Sequence, residues 1–297
     1  MGKDGDVSHF RVLAFTDVGL RRKRNEDAVL VAGWVCQTHD GALVTMDFEP
    51  TVPFVCVVAD GMGGHAGGNI ASRSALNVIT ERSAQWRTVE DVAATITHAN
   101  DQVRGVGTEN DLEGLGTTIA GLCISGDGII AFNVGDSRVY SITGGQLQQL
   151  SRDDAVLDAA GNPTNVITQS LGQAGPVQTH VTTLPLQSGT FLLCSDGVSG
   201  MLSNAELHAA IAGPELAQCA ASIVAATRNN GADDNFSFLI VDIPDVESSD
   251  TQPRGVRAVA PPPPPQPPPP PPPPPRPAGP PPPPPPPPGR SRARRVR

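Results

Sequence analysis

Residues 117–134 read TTIAGLCISGDGIIAFNV, two apolar runs joined across Asp127-Gly128. Strands joined by so short a turn must run antiparallel, because a parallel pair needs a crossover of a dozen or more residues. A third run, 138–142, follows at once and is closed by Thr143-Gly144-Gly145. The segment therefore predicts antiparallel sheet and excludes a chain of βαβ units.

Outward from this hairpin, further strands are expected over 10–15, 28–35, 54–59, 190–194 and 236–243. Helices are expected in two pairs, over 68–83 and 89–104, and over 204–212 and 214–229. Thr88-x-x-Asp91 and Ser203-x-x-Glu206 are capping-box patterns, and Pro214 suits a first helical position. Val89, Val92, Ala93, Ile96 and Val103 form one apolar stripe; Leu216, Cys219, Ala220, Ile223 and Val224 form another. Many antiparallel strands with helices in separate pairs predict an α+β sandwich of sheets covered by helices.

The chain divides by composition. Residues 251–297 hold 25 of the 32 prolines, eight arginines and no acidic residue, so they cannot bury a core. We read residues 1–245 as one folded domain and 246–297 as a disordered polyproline tail ending in arginines. Residues 261–288 should be largely polyproline II, reaching roughly 85–90 Å at ~3.1 Å per residue. Removing the eight tail arginines leaves 13 basic and 30 acidic residues in 1–250, a net charge of −17. Such a body lacks the positive face that specific nucleic-acid recognition needs. The five cysteines are widely spaced, with no C-x-x-C, and read as free thiols of a reducing compartment. No signal peptide and no membrane-length apolar stretch is present, so a cytoplasmic location is expected.

Carboxylates sit at the ends of several distant strands. Residues 54–59 end on Asp60-Gly61, 190–194 on Ser195-Asp196-Gly197, and 129–134 on Gly135-Asp136-Ser137; Asp233-Asp234-Asn235 directly precedes 236–243. Any single Asp-Gly is most simply a turn. Several converging acids would repel one another unless cations neutralised them. The cluster Asp60-Gly61-Met62-Gly63-Gly64-His65-Ala66-Gly67-Gly68 lacks the G-x-x-x-x-G-K-[ST] of a phosphate loop, and a dinucleotide fingerprint would need a βαβ setting. Its glycines could instead let carbonyls approach a cation, with His65 as a proton donor. Upstream, Glu26 and Asp27 beside an arginine could supply a metal ligand and a phosphate clamp; Arg21, Lys23 and Arg24 read as a solvated basic turn.

Taken in order, Arg22-x-x-x-Glu26-Asp27, Asp60-Gly61-Met62-Gly63-Gly64-His65, Gly116-Thr117-Thr118, Gly135-Asp136-Ser137-Arg138, Ser195-Asp196-Gly197 and Asp234-Asn235 resemble the motifs of PP2C-type metal-dependent serine/threonine phosphatases, in their bacterial form. The resemblance implies two packed antiparallel sheets flanked by helix pairs, and a pair of Mn²⁺ or Mg²⁺ ions. By position it implies that Asp60 bridges both ions, that Asp196 and Asp234 complete one, and that Glu26 and the Gly61 carbonyl serve the other. Asp27 would orient the attacking water, Arg22 bind the phosphoryl oxygens, and His65 protonate the departing alkoxide. Asp136 matches the position of a third, weaker metal. Water as nucleophile needs no cysteine, which fits the absence of C-x₅-R at all five cysteines.

Two stretches depart from the family pattern. Residues 150–172, beside the expected site, are abbreviated between Ser151-Arg152-Asp153-Asp154 and Asn165-Val166-Ile167-Thr168, which bears on substrate preference. Residues 35–53 are an insertion in which His39-Asp40-Gly41 could turn a hairpin. The expected partners are phosphoserine and phosphothreonine proteins, the substrates of serine/threonine kinases, and a tail-binding partner. The competing reading is an inactive scaffold that recruits partners through its tail; the presence of Glu26, Asp60, Asp196 and Asp234 speaks against it.

Overall fold

In the computed structural model the described residues are 9–37, 41–63, 67–112, 114–159, 161 and 163–244. The hairpin that opened the reading is present. Strand Ile119–Ser125 pairs antiparallel with Gly128–Val134, from Ile119 opposite Val134 to Ser125 opposite Gly128. They sit within a six-stranded sheet of spatial order His180–Leu184, Gly128–Val134, Ile119–Ser125, Phe54–Ala59, Ala28–Val31, Trp34–Cys36. A second six-stranded sheet runs Gln146–Gln149, Arg138–Thr143, Gly189–Cys194, Phe236–Ile243, Phe10–Asp17, Val44–Phe48. Every pairing in both is antiparallel.

The two sheets pack on each other, and each carries helices on its outer face. Along Phe54–Ala59, side chains alternate between two cores. Phe54, Cys56 and Val58 pack with Val12, Ala14, Leu239 and Val241 of the second sheet. Val55, Val57 and Ala59 pack with Ala71, Leu76, Ile79 and Ile96 from helices Gly68–Ser83 and Val89–Glu109. Across the second sheet, Leu13, Phe15, Leu192 and Phe238 meet Leu207, Ala220 and Ile223 of helices Asn204–Ala210 and Leu216–Asn229. Because both faces of Phe54–Ala59 are buried, its sequence is an unbroken apolar run with no polar alternation. This is the expected sandwich of two antiparallel sheets flanked by helix pairs.

Both capping boxes form, at Thr88 with Asp91 and at Ser203 with Glu206. Several boundaries differ from the sequence reading. The run 28–35 is a hairpin rather than one strand: Ala32 (φ 46°) and Gly33 (φ 90°) are both left-handed, which closes a two-residue turn between Val31 and Trp34. The helix from Val89 runs through Gly105 and Gly107 to Glu109, and a Cβ on Gly107 would come within 3.2 Å of the Leu112 carbonyl oxygen. Pro214 lies before the last helix, whose N-cap is Glu215. Within the insertion, Val44–Phe48 adds an edge strand to the second sheet, with Phe48 opposite Phe10. Its turn at His39-Asp40, the general-acid candidate His65, and the tail from residue 246 onward lie outside the described residues. Cys56, Cys123, Cys194 and Cys219 are buried free thiols. Among the described residues no helix is long and apolar enough to cross a membrane.

Candidate active site

Strand pairing brings the acids together. Ala28 lies opposite Ala59, so the start of one strand and the end of its antiparallel neighbour share an edge, and Asp27 comes beside Asp60. In the other sheet Cys194 lies opposite Phe238, which sets Asp196 near Asp234. Face-to-face packing of the sheets then joins the two pairs, so that the charge of Asp234 reaches the carboxyls of Asp27, Asp60 and Asp196. Asp136, at the end of Gly128–Val134, feels Asp196 as well.

The backbone beneath these acids is clamped by residues to which sequence reasoning gave no role. Asn235 Oδ1 accepts from the Glu26 N–H at 2.8 Å, and its Nδ2 donates to the Val18 and Arg24 carbonyls, both at 2.9 Å. Ser72 Oγ donates to the Glu26 carbonyl at 2.6 Å. The Asp60 carbonyl accepts from Thr118 N–H and Thr117 Oγ1, each at 2.8 Å. Ser195 Oγ donates to Asp27 Oδ2 at 2.8 Å and accepts from Ser237 N–H at 3.0 Å. Thr117, Thr118, Ser195 and Asn235 stood inside the motifs, so their positions were legible; Ser72 carried no signal.

The glycines serve close approach. A Cβ on Gly61 would lie 2.1 Å from the Gly68 carbonyl oxygen, and one on Gly197 would lie 1.9 Å from that of Asn235. Neither glycine has a positive φ, so Asp60-Gly61 and Asp196-Gly197 are not left-handed turns, unlike Asp127-Gly128, where Gly128 has φ 153°. A Cβ on Gly68 would lie 2.7 Å from both Glu26 Oε2 and the Gly61 carbonyl oxygen, so only glycine leaves that space to the two oxygens.

The acids are short of positive partners. Burial pushes the Asp27 carboxyl up to about 7, with Asp196 and Asp234 adding to the shift and hydrogen bonds from Ser237 and Ser195 opposing it. Burial likewise takes Asp136 up to about 7, aided by Asp196. Asp60 is held well above the ordinary carboxylate range, first by burial and then by the charges of Asp27 and Asp196; Asp196 is raised mainly by burial. The Oδ1 atoms of Asp27, Asp136 and Asp196 are buried with no hydrogen-bond partner among the described residues. Arg22 reaches one of the acids, donating from Nη2 to Asp234 Oδ2 at 2.5 Å, and the adjacent pair Arg21–Asp233 closes at 2.8 Å.

This chemistry fits divalent cations: orphaned buried carboxylate oxygens, like charges in contact, and the oxygen-lined space at Gly68. Among the described residues no three His, Cys, Asp or Glu side chains point at one common centre. Arg22 holds Asp234 to one side, and Asp60 and Asp196 face each other. Next to the acids opens a cleft of about 540 Å³, lined by Arg22, Asp136, Arg138, Asp196 and Asp234 on one part and by Ala155 and Thr164 on another. The sequence-predicted Arg22, Asp27, Asp60, Asp136, Asp196 and Asp234 are thus brought together, with Glu26 and Gly61 converging at Gly68.

Fold and acidic cleft are those of a protein suited to divalent cations, and comparison with known proteins gives its class. The family described as Protein phosphatase 2C matches residues 31–229. The chain belongs to the protein phosphatase 2C family and, with it, to the serine/threonine protein phosphatases. It is 30% identical over 250 residues to the serine/threonine phosphatase stp of Listeria innocua, covering 76% of this chain and 93% of that one. The structure of the Streptococcus agalactiae serine/threonine phosphatase superposes with a TM-score of 0.66 at 26% identity, covering 79% of this chain and all of that one. The catalytic domain of the phosphatase PstP in complex with two manganese ions superposes with a TM-score of 0.64, also at 26% identity, covering 80% and 99%.

Proposed function

We propose that residues 1–245 hydrolyse phosphoserine and phosphothreonine esters on proteins using two divalent cations, Mn²⁺ or Mg²⁺. The observation that carries this is the set of buried, cation-deficient carboxylates at the meeting of two sheets, opening beside Arg22 into a cleft. Asp60, Asp196 and Asp234 would hold one ion; Asp60, Glu26 and the Gly61 carbonyl would hold the other. Asp136 would serve a third, weaker site. Bound there, the cations supply Lewis acidity and a water nucleophile at neutral pH.

The protein's own part is positional. Asp27, fixed by Ser195 and wholly buried, orients the attacking water and accepts a hydrogen bond from it. Arg22, half-exposed at the cleft, exchanges its contact with Asp234 for the phosphoryl oxygens. His65 protonates the serine or threonine alkoxide as it leaves. The tail from residue 246 acts as a spacer that presents its arginine-rich end to a partner. No observation favours the alternative of an inactive scaffold. Similarity to a manganese-bound phosphatase supports the choice of cation. The test is release of phosphate from a phosphothreonine peptide by the full chain with Mn²⁺, with Mg²⁺, or with chelator. Turnover that survives chelator would overturn the metal assignment.

A further inference from the structure

The cleft has a wall apart from its acidic floor. Ala155 and Thr164, from the paired strands Ala155–Leu157 and Pro163–Ile167, line it. Where this hairpin leaves the body, the side chain of Asp154 joins three partners. Its Oδ2 accepts from Gly135 N–H and from Gln169 Nε2, both at 2.9 Å, and its Oδ1 lies 2.7 Å from His180 Nε2. The main chain of Asp154 closes the same junction: its N–H donates to the Gly135 carbonyl at 2.9 Å, and its carbonyl accepts from Thr168 N–H at 2.8 Å. Gln169 is gripped in turn by Gln178, whose N–H reaches Oε1 at 2.6 Å and whose carbonyl takes Nε2 at 2.9 Å. One residue thus ties the hairpin's entry to its exit, to the loop carrying Asp136, and to the edge strand His180–Leu184.

The ends it joins are fixed without it. Ser137 Oγ lies 2.6 Å from Thr118 Oγ1 in the buried interior, and Asn133 Nδ2 donates to the Gly135 carbonyl at 3.2 Å. His180 is set by strand pairing opposite Asn133. The hairpin is the less supported member. Its pairing is irregular between Ala155 and Leu157, and Val156, Leu157 and Val166 are exposed. Loss of the Asp154 contacts should therefore move the hairpin and leave the acidic floor in place.

We propose that Asp154 is a positioning residue: with Gln169 and His180 it sets the stance of the hairpin wall over the Asp136 loop, and so governs affinity for a phosphorylated polypeptide without governing the hydrolytic step. This rests on the phosphatase reading above. An aryl phosphate is small enough to need only the acidic floor, whereas a peptide must also pass along the wall. The test measures kcat and KM for a phosphothreonine peptide and for an aryl phosphate, at saturating Mn²⁺, in wild type, Asp154→Ala, Asp154→Asn, His180→Gln and Gln169→Ala. Asp154→Ala should raise the peptide KM about ten-fold, while kcat/KM for the aryl phosphate stays within about two-fold. Gln169→Ala and His180→Gln should each raise the peptide KM about three-fold. Asp154→Asn, which keeps an acceptor for Gly135, should recover most of the lost affinity. If Asp154→Ala fails to fold, Gln169→Ala carries the same prediction with one contact removed. Parallel losses on both substrates, or an unchanged peptide KM in a folded variant, would overturn the proposal alone. Wild-type protein that hydrolyses neither substrate would overturn the phosphatase reading, and the proposal with it.

Discussion

Two acidic regions border the same cleft and are built on opposite principles. At the base of the hairpin wall, Asp153 receives Arg138 through Nε and Nη2, at 3.0 and 2.7 Å to Oδ2, and also Gln149 Nε2 at 2.8 Å. Asp154 beside it is saturated by Gly135, Gln169 and His180. On the floor, Asp27, Asp136 and Asp196 each keep a buried oxygen with no partner among the described residues, and burial raises all three carboxyls. The chain completes the first region by itself; under the function proposed above, cations complete the second. A buried carboxylate with its donors supplied is a structural part; one without them marks where a cation belongs.

The largest expected effect lies on the floor. Asp60→Asn should cut phosphothreonine-peptide turnover at saturating Mn²⁺ by at least about 10²-fold, with the fold intact by circular dichroism. Near-wild-type turnover would break the comparison at its centre. The hairpin base should respond in stability instead. Arg138 and Asp153 are largely buried, so Arg138→Ala strands a carboxylate and should cost about 3 kcal/mol in urea unfolding. A cost near zero would mean that this region is as unfinished as the floor.

On stability the floor should have the opposite sign. Without metal, Asp60→Asn relieves a like-charge contact and should stabilise the chelated protein by about 1 kcal/mol, or ~3 °C in melting temperature. The pH dependence follows the same logic. Asp27 and Asp136 titrate at about 7 in the folded chain, against an ordinary value of 3.8. Between those values the folded state binds more protons than the unfolded state, so stability is greatest in acid and falls as pH rises towards 7. The chelated protein should therefore melt higher at pH 5 than at pH 8, and saturating Mn²⁺ should flatten the slope. A chelated protein that melts higher at pH 8 would contradict the reading of the floor. The smallest effect should come from the tail. Truncation after Asp250 should leave peptide hydrolysis unchanged while weakening salt-sensitive capture of partners; lost hydrolysis would place the tail within the catalytic unit.

Much of this molecule was legible in its sequence, for definite reasons. The central strands are apolar on both faces, so they stand out as runs, and 54–59 and 236–243 were delimited to the residue. Capping boxes fixed two helix starts because the reciprocal hydrogen bonds are local. The edge strands Val44–Phe48, Gln146–Gln149 and His180–Leu184 were missed, since half-solvated strands carry no full apolar run, even where a turn signal stands beside them. The acids could be named from motif order. No single Asp-Gly could be read locally, because Asp60-Gly61 and Asp127-Gly128 are the same dipeptide, one closing against the Gly68 carbonyl and the other turning a hairpin. The partners that complete Asp154, namely Gln169 and His180, and the Ser72 that steadies Glu26 lie far from them in the chain. Local sequence specifies which residues can ionise and where strands and caps begin. Which carboxylates find donors and which remain unpaired is set by long-range packing, so the tertiary structure alone decided it.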